Sequence, residues 1–207
     1  MTVSRHQERA ALIESALLLS FITIAWNGVI GLGALGAAVV AGSPALAGFA
    51  LNALLDSSAS VVLVWRFRRE GKNPAAAAHL ERRAVGWIAL AMFVVALYVG
   101  VQAVRALVSD SRPETSVFGA VLAGLSVAFL PWLGTRKLDV GRRLRSPSLR
   151  GDAVLSLAAA ALAGLTLTAL LLNSKLGWWW ADPVAALVIA LGLGAEAIRV
   201  TIRHRFG

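Results

Sequence analysis

Polar and apolar residues in this chain fall into long blocks, not a short alternation. Six apolar segments stand out: Ala11–Ala41, Ala45–Trp65, Ala84–Leu107, Val117–Leu133, Gly151–Leu172 and Asp182–Ile198. Each is rich in Ala, Leu and Val, without the period-two pattern of a barrel strand. About 20 residues carry an α-helix across a hydrocarbon core. Lipid offers no hydrogen bonds, so helices that satisfy their own backbone are the predicted elements. The fourth and sixth segments are short and need interfacial residues to complete a span, whereas the first is long enough to tilt. The pattern predicts an all-α membrane protein: a six-transmembrane-helix bundle in which residues 1–207 form a single transmembrane domain, with no soluble domain.

Composition narrows the picture. The chain is 58% hydrophobic and 15% charged, against about 25% charged in soluble domains. A soluble globular enzyme and a disordered chain are both excluded on this ground. There is no cysteine, which removes disulfides, thiolate zinc sites and thiol catalysis. Three histidines (His6, His79 and His204) are too few for a histidine-rich metal cage. No nucleophile–base pair or phosphate-binding glycine loop appears, so the chain does not read as an enzyme. The first apolar run is too long for the core of a cleaved signal peptide, so none is expected.

The net charge of +9 is explained by its distribution. Seventeen of the twenty Lys and Arg fall in the N-terminal tail, the second and fourth connections and the C-terminal tail. Arg105, Arg112 and Lys175 are the three on the other side. The positive-inside rule then places both termini in the cytoplasm. It also leaves no reason to invoke nucleic acid; the lipid bilayer is the expected partner. Trp178, Trp179 and Trp180 read as an aromatic anchor at the outer interface.

Polar residues inside a membrane are costly and need a reason. The second span holds Gly48, Asn52, Asp56 and Ser60 at a spacing of four, on one helix face. The fifth holds Ser148, Asp152, Ser156, Ala160 and Gly164 in the same register. The small residues suit close helix packing. A carboxylate near mid-bilayer points instead to an ion or proton path. Ser43-Pro44-Ala45-Leu46-Ala47-Gly48 also resembles Ser146-Pro147-Ser148-Leu149-Arg150-Gly151. One stretch enters from outside and the other from inside, as in the inverted repeats of transporters. The offset places Asn52 opposite Leu155 and Asp56 opposite Ala159. At about 1.5 Å per residue, Asp56 and Ser156 come out nearly level, with Asp152 a turn nearer the cytoplasm. The candidate metal-binding residues are therefore Asp56, Asn52, Asp152 and Ser156.

These residues bring out a family resemblance. The chain resembles the transmembrane part of the cation diffusion facilitators, exporters of zinc and manganese, over nearly all of residues 11–202. Ser43-Pro44 with Asn52-Ala53-Leu54-Leu55-Asp56 resembles the family's second-span motif, in which two acidic residues four apart bind metal. Leu149-Arg150-Gly151-Asp152 resembles the opening of the fifth span, and Trp180-Ala181-Asp182-Pro183 that of the sixth. Gly48–Asp56, Val64-Trp65-Arg66 and His79-Leu80-Glu81 look closest to a short branch that includes a vertebrate synaptic-vesicle zinc-efflux protein. The resemblance implies a homodimer. It also shows departures. Leu155 and Ala159 stand where the family's fifth span carries His and Asp, and Asn52 replaces an acid. The family's cytoplasmic metal-binding domain is not found in these residues. An oxygen-only set suits Mn²⁺ or Mg²⁺ better than zinc, although a weak zinc site is still allowed.

Other residues have structural readings. Asp182-Pro183 is expected to cap and open the sixth helix. Glu14 and Glu196 are expected to snorkel or pair with nearby Arg. His79 and Glu81 read as a solvated loop or as a cytoplasmic cation-recruiting site. Asn27 is expected to be an interhelical donor or a fringe member of the cation path, and Gln102 an interhelical donor. The leading expectation is a secondary transporter exporting a divalent cation, Zn²⁺ or Mn²⁺, in exchange for protons, with no bound cofactor. The membrane expected for it is a bacterial inner membrane. The alternative is a non-transporting assembly or regulatory subunit with a degenerate metal site.

Overall fold

A computed structural model describes the backbone of residues 2–70, 74–109 and 112–206. Within these, the side chains of 2–6, 8, 69–70, 74–85, 87–88, 147–148 and 203–206 are not described. The described chain is six helices: α1 (Thr2–Ala41), α2 (Pro44–Glu70), α3 (Pro74–Val108), α4 (Val117–Arg143), α5 (Pro147–Leu176) and α6 (Ala181–Phe206). All six contain stretches long and apolar enough to cross a membrane. The chain is an all-helical bundle of six spans, as the apolar blocks predict.

The helices outrun the apolar blocks. The fourth segment was expected to end at Leu133, yet α4 continues to Arg143. The connection after α2, expected to begin at Arg66, is helical to Glu70. Arg, Lys and Glu are good helix formers, so propensity carries each helix past the point where hydrophobicity stops. One consequence reaches the core. Lys137, expected in a basic surface loop, is fully buried on α4.

Three hairpin-like pairs build the bundle: α1 with α2, α4 with α5, and α3 with α6. The first two also pack on each other, and α3–α6 lies against α2 and α5. Two hydrogen bonds to backbone carbonyls define one end. Glu114 N–H donates to Ala41 O at 2.8 Å, and Asn173 Nδ2 donates to Pro113 O at 3.0 Å. The ends of α1 and α5 and the start of α4 therefore meet there, opposite the chain termini. Thus α1 runs towards this far end and α4 runs away from it.

The repeat seen in the sequence is structural. Ser43 Oγ accepts from Leu46 N–H at 3.1 Å at the start of α2, and Ser146 Oγ accepts from Leu149 N–H at 3.4 Å at the start of α5. A Cβ on Gly31 would lie 2.9 Å from Leu54 and 3.2 Å from Ala50 O. A Cβ on Gly134 would lie 2.8 Å from Leu157 and 3.3 Å from Ala153 O. Every member of the second set lies 103 positions after its counterpart in the first. The α1–α2 and α4–α5 hairpins thus repeat the same close backbone approach in opposite directions. Lipid removes most hydrophobic drive between helices, so such approach and buried polar contacts hold the bundle.

Two details depart from expectation. Asp182 lies in the first turn of α6, but its carboxylate caps α2. Oδ2 accepts from Ala45 N–H at 3.1 Å and Oδ1 accepts from Ser43 Oγ at 2.5 Å. The far end brings the two helix starts together, and the free N–H groups of α2 lie within reach. Gln102 bonds along its own helix, accepting from Arg105 Nη1 at 3.5 Å, where an interhelical contact was expected. Trp178 and Trp180 are exposed at the far end, stacked with centroids 5.4 Å apart, as an interfacial anchor requires.

Candidate cation site

Helical spacing sets the polar face of α2, and the neighbouring helices decide what each member meets. Asp56 is buried, 5% exposed. Asn27 of α1 donates from Nδ2 to its Oδ2 at 2.6 Å. Its other oxygen, Oδ1, is buried with no hydrogen-bond partner. An unsatisfied buried carboxylate oxygen is expensive in a low-dielectric interior. Asn27 is therefore the interhelical donor expected as one of its two readings.

Asp56 and Asn52 line a cavity of about 290 Å³ between α2, α3, α5 and α6. The α5 wall is apolar, formed by Leu155, Ala158, Ala161 and Leu162. On α6 the cavity reaches Glu196 and Arg199. It is large enough to hold a cation with water still attached.

Asp152 and Ser156 look elsewhere. Lys137 Nζ lies 2.6 Å from Asp152 Oδ2. The same ammonium donates to Ser156 Oγ at 3.1 Å. Ser60 of α2 donates to Asp152 Oδ1 at 3.0 Å. Asp152, Ser156 and Ser60 are all buried with the lysine. The four predicted residues thus separate into two groups. Asn52 and Asp56 share the cavity, while Asp152 and Ser156 bind a protein ammonium. The two groups remain neighbours, because Ser60, one turn beyond Asp56 on α2, donates to Asp152.

Lys137 was missed because its neighbours in sequence, Arg136, Asp139, Arg142 and Arg143, read as a loop. A signal existed: Lys137 lies three residues after Gly134, on the turn that packs against α5, whereas Arg136 and Asp139 point outwards. Among the described residues no group of three His, Cys, Asp or Glu is placed to hold a metal. The side chains of His79 and Glu81 lie outside the described residues. Glu14 is exposed, and Glu196 pairs with Arg199 Nη1 at 3.5 Å, the salt bridge expected of it.

Chemically, the cavity is lined by one buried carboxylate, a carboxamide and a second acid near an arginine. That set can coordinate a hard cation or exchange a proton.

Residues 20–203 match the family model described as the cation efflux transmembrane domain. A protein of Synechocystis described as an uncharacterized transporter is 27% identical over 179 residues, covering 81% of this chain and 57% of that protein. The chain therefore spans a little over half the length of that curated relative.

Proposed function

The chain belongs to the cation efflux family, a family of metal-cation transporters, and is an integral multi-pass membrane protein; we propose that it exports a divalent cation from the cytoplasm by exchange for protons. The observation that carries this reading is Asp56 Oδ1, a buried oxygen without a partner on a carboxylate that lines a membrane-embedded cavity. A group of this kind is costly unless a ligand completes it. Asn52 extends the oxygen set, and Asn27 fixes the orientation of the carboxylate.

The inverted hairpins supply the moving parts. Two similar units of opposite direction can exchange an inward-facing and an outward-facing packing around a fixed site. A cation arriving at Asp56 displaces any proton held there, and a proton arriving later displaces the cation. The basic residues gather at the end that holds the chain termini, which supports a cytoplasmic position for that end. A bacterial inner membrane and a homodimer complete the proposal.

The test is flux into proteoliposomes. Zn²⁺ and Mn²⁺ would be supplied separately across a pH gradient, with wild type beside Asp56→Asn. Cation movement coupled to proton counterflow and lost in the variant is the expected result. Equal background flux from both proteins overturns the proposal.

A second reading has its own support. Leu155 and Ala159 carry no ligand, and Asp152 is already paired with Lys137. A non-transporting assembly or regulatory subunit would keep this fold without a working site. Background flux in that assay, together with no cation binding, is what this reading requires.

A further inference from the structure

We propose that Glu196 of α6 is the second carboxylate of the cation site, and that a divalent cation with oxygen-only ligands is held between it and Asp56. The inference rests on the transport reading above and adds the ligand that the fifth helix lacks.

The cavity itself gives the first argument. Of the residues that line it, Asn52, Asp56, Glu196 and Arg199 are the polar ones. The two acids thus border one cavity of about 290 Å³ inside an otherwise apolar wall. Asp56 brings a buried oxygen with no partner.

Depth is the second argument. Asp182 fastens the starts of α2 and α6 together through Ser43 and Ala45. Both helices then run in the same direction. Asp56 lies 13 positions after Ser43, and Glu196 lies 14 after Asp182. At 1.5 Å per residue these distances are about 20 Å and about 21 Å, so the two carboxylates are level.

Charge is the third. A doubly charged ion in a low-dielectric interior needs close negative partners. Asp152 is already neutralised by Lys137 at 2.6 Å. Leu155, Ala158, Ala161 and Leu162 give the α5 wall no ligand. Asp56 and Glu196 together carry the two negative charges that a divalent cation requires. Arg199 holds Glu196 through a contact of 3.5 Å, and the arginine is 71% exposed. Such a contact is weak and open to water. An incoming cation can take its place while Arg199 swings towards the interface. Two carboxylates, the Asn52 amide and retained water form a hard oxygen set, which suits Mn²⁺-like ions and lacks the nitrogen and sulfur donors that zinc sites usually carry.

The experiment titrates Mn²⁺ into the purified full chain in detergent and follows free Mn²⁺ by electron paramagnetic resonance. Helical circular dichroism and a monodisperse elution profile confirm that each variant folds. Wild type binds Mn²⁺, and Glu196→Gln weakens binding by about tenfold or more, as loss of a charged ligand should. Glu196→Asp recovers part of the affinity. Arg199→Gln strengthens binding several-fold by removing the competitor, an effect that a merely structural Glu196–Arg199 pair would not produce. If Asp56→Asn abolishes binding while Glu196→Gln and Arg199→Gln match wild type, the role of Glu196 is overturned and the transport reading stands. If wild type binds no Mn²⁺, Zn²⁺ or Co²⁺, the transport reading falls and the site falls with it.

Discussion

Lys137 Nζ lies 2.6 Å from Asp152 Oδ2, with the lysine fully buried and the aspartate 5% exposed. The pair ties α4 to α5, and Ser60 adds α2 through the other carboxylate oxygen. A charge inside the bundle is tolerated only because its partner is there. This contact explains why Asp152 is buried without any metal ligand beside it.

Breaking the pair should cost more than removing it. Lys137→Met leaves an uncompensated buried carboxylate and is expected to destabilise the bundle by about 3–5 kcal/mol. Asp152→Leu should cost a similar amount by stranding the ammonium. The double variant is expected to recover most of the loss. Thermal unfolding in detergent measures all three; equal, additive losses would show that the charges do not interact.

Asn27 holds Asp56 at 2.6 Å through a single amide donor. Asn27→Ala removes a hydrogen bond to a charged group, worth about 1.5–3 kcal/mol. It should weaken cation binding by about tenfold or more, because the carboxylate loses its fixed orientation. Asn27→Asp adds a like charge beside Asp56 and should change both affinity and pH dependence. An unchanged Mn²⁺ titration for Asn27→Ala would detach this residue from the site.

Asp182 joins two helix starts. Asp182→Ala removes the acceptor for Ala45 N–H and for Ser43 Oγ. Loss of a helix cap costs about 0.5–2 kcal/mol. Ser43→Ala removes the acceptor for Leu46 N–H as well as the hydroxyl donor to Asp182, so the two single losses should be similar. Melting temperatures measure both, and no loss for Asp182→Ala would contradict its assignment as a cap of α2.

The matched glycines should behave alike. Gly31→Val and Gly134→Val each force a side chain into space already filled by Leu54 or Leu157. Overpacking of this kind costs about 1–3 kcal/mol. The carbonyls of Ala50 and Ala153 stand close behind and leave little room to relax. Gly36→Val, where no atom lies within 4 Å of a new Cβ, is the control and should be nearly neutral. Similar losses at Gly31 and Gly134 would be the energetic signature of the repeat.

Orientation can be read with single cysteines, because the natural chain has none. Thr115→Cys lies at the far end and Arg143→Cys at the end that holds the termini. A membrane-impermeant maleimide applied to intact cells should label the first and spare the second until the cells are opened. The reverse pattern would invert the chain in its membrane.

The sequence by itself determined the six helices, their number and the membrane that surrounds them. Apolar blocks of sufficient length leave no other economical way to satisfy the backbone. It also determined the inverted repeat, because Ser43 and Ser146 open helices with the same cap. It placed Asp56 on the polar face of α2, because a spacing of four is a property of one helix. The tertiary structure alone decided which faces meet. Lys137 reads as surface charge until α4 is seen to continue past Leu133 and turn that residue onto α5. Asp182 reads as the cap of its own helix until the start of α2 is found beside it. Asp152 and Asp56 read as one cluster until their partners separate them, and Glu196 enters the cavity only when α6 is laid against α2. Such contacts join residues about 15 to 140 positions apart, and helical periodicity fixes directions within an element but carries no information about the rotation of its neighbour.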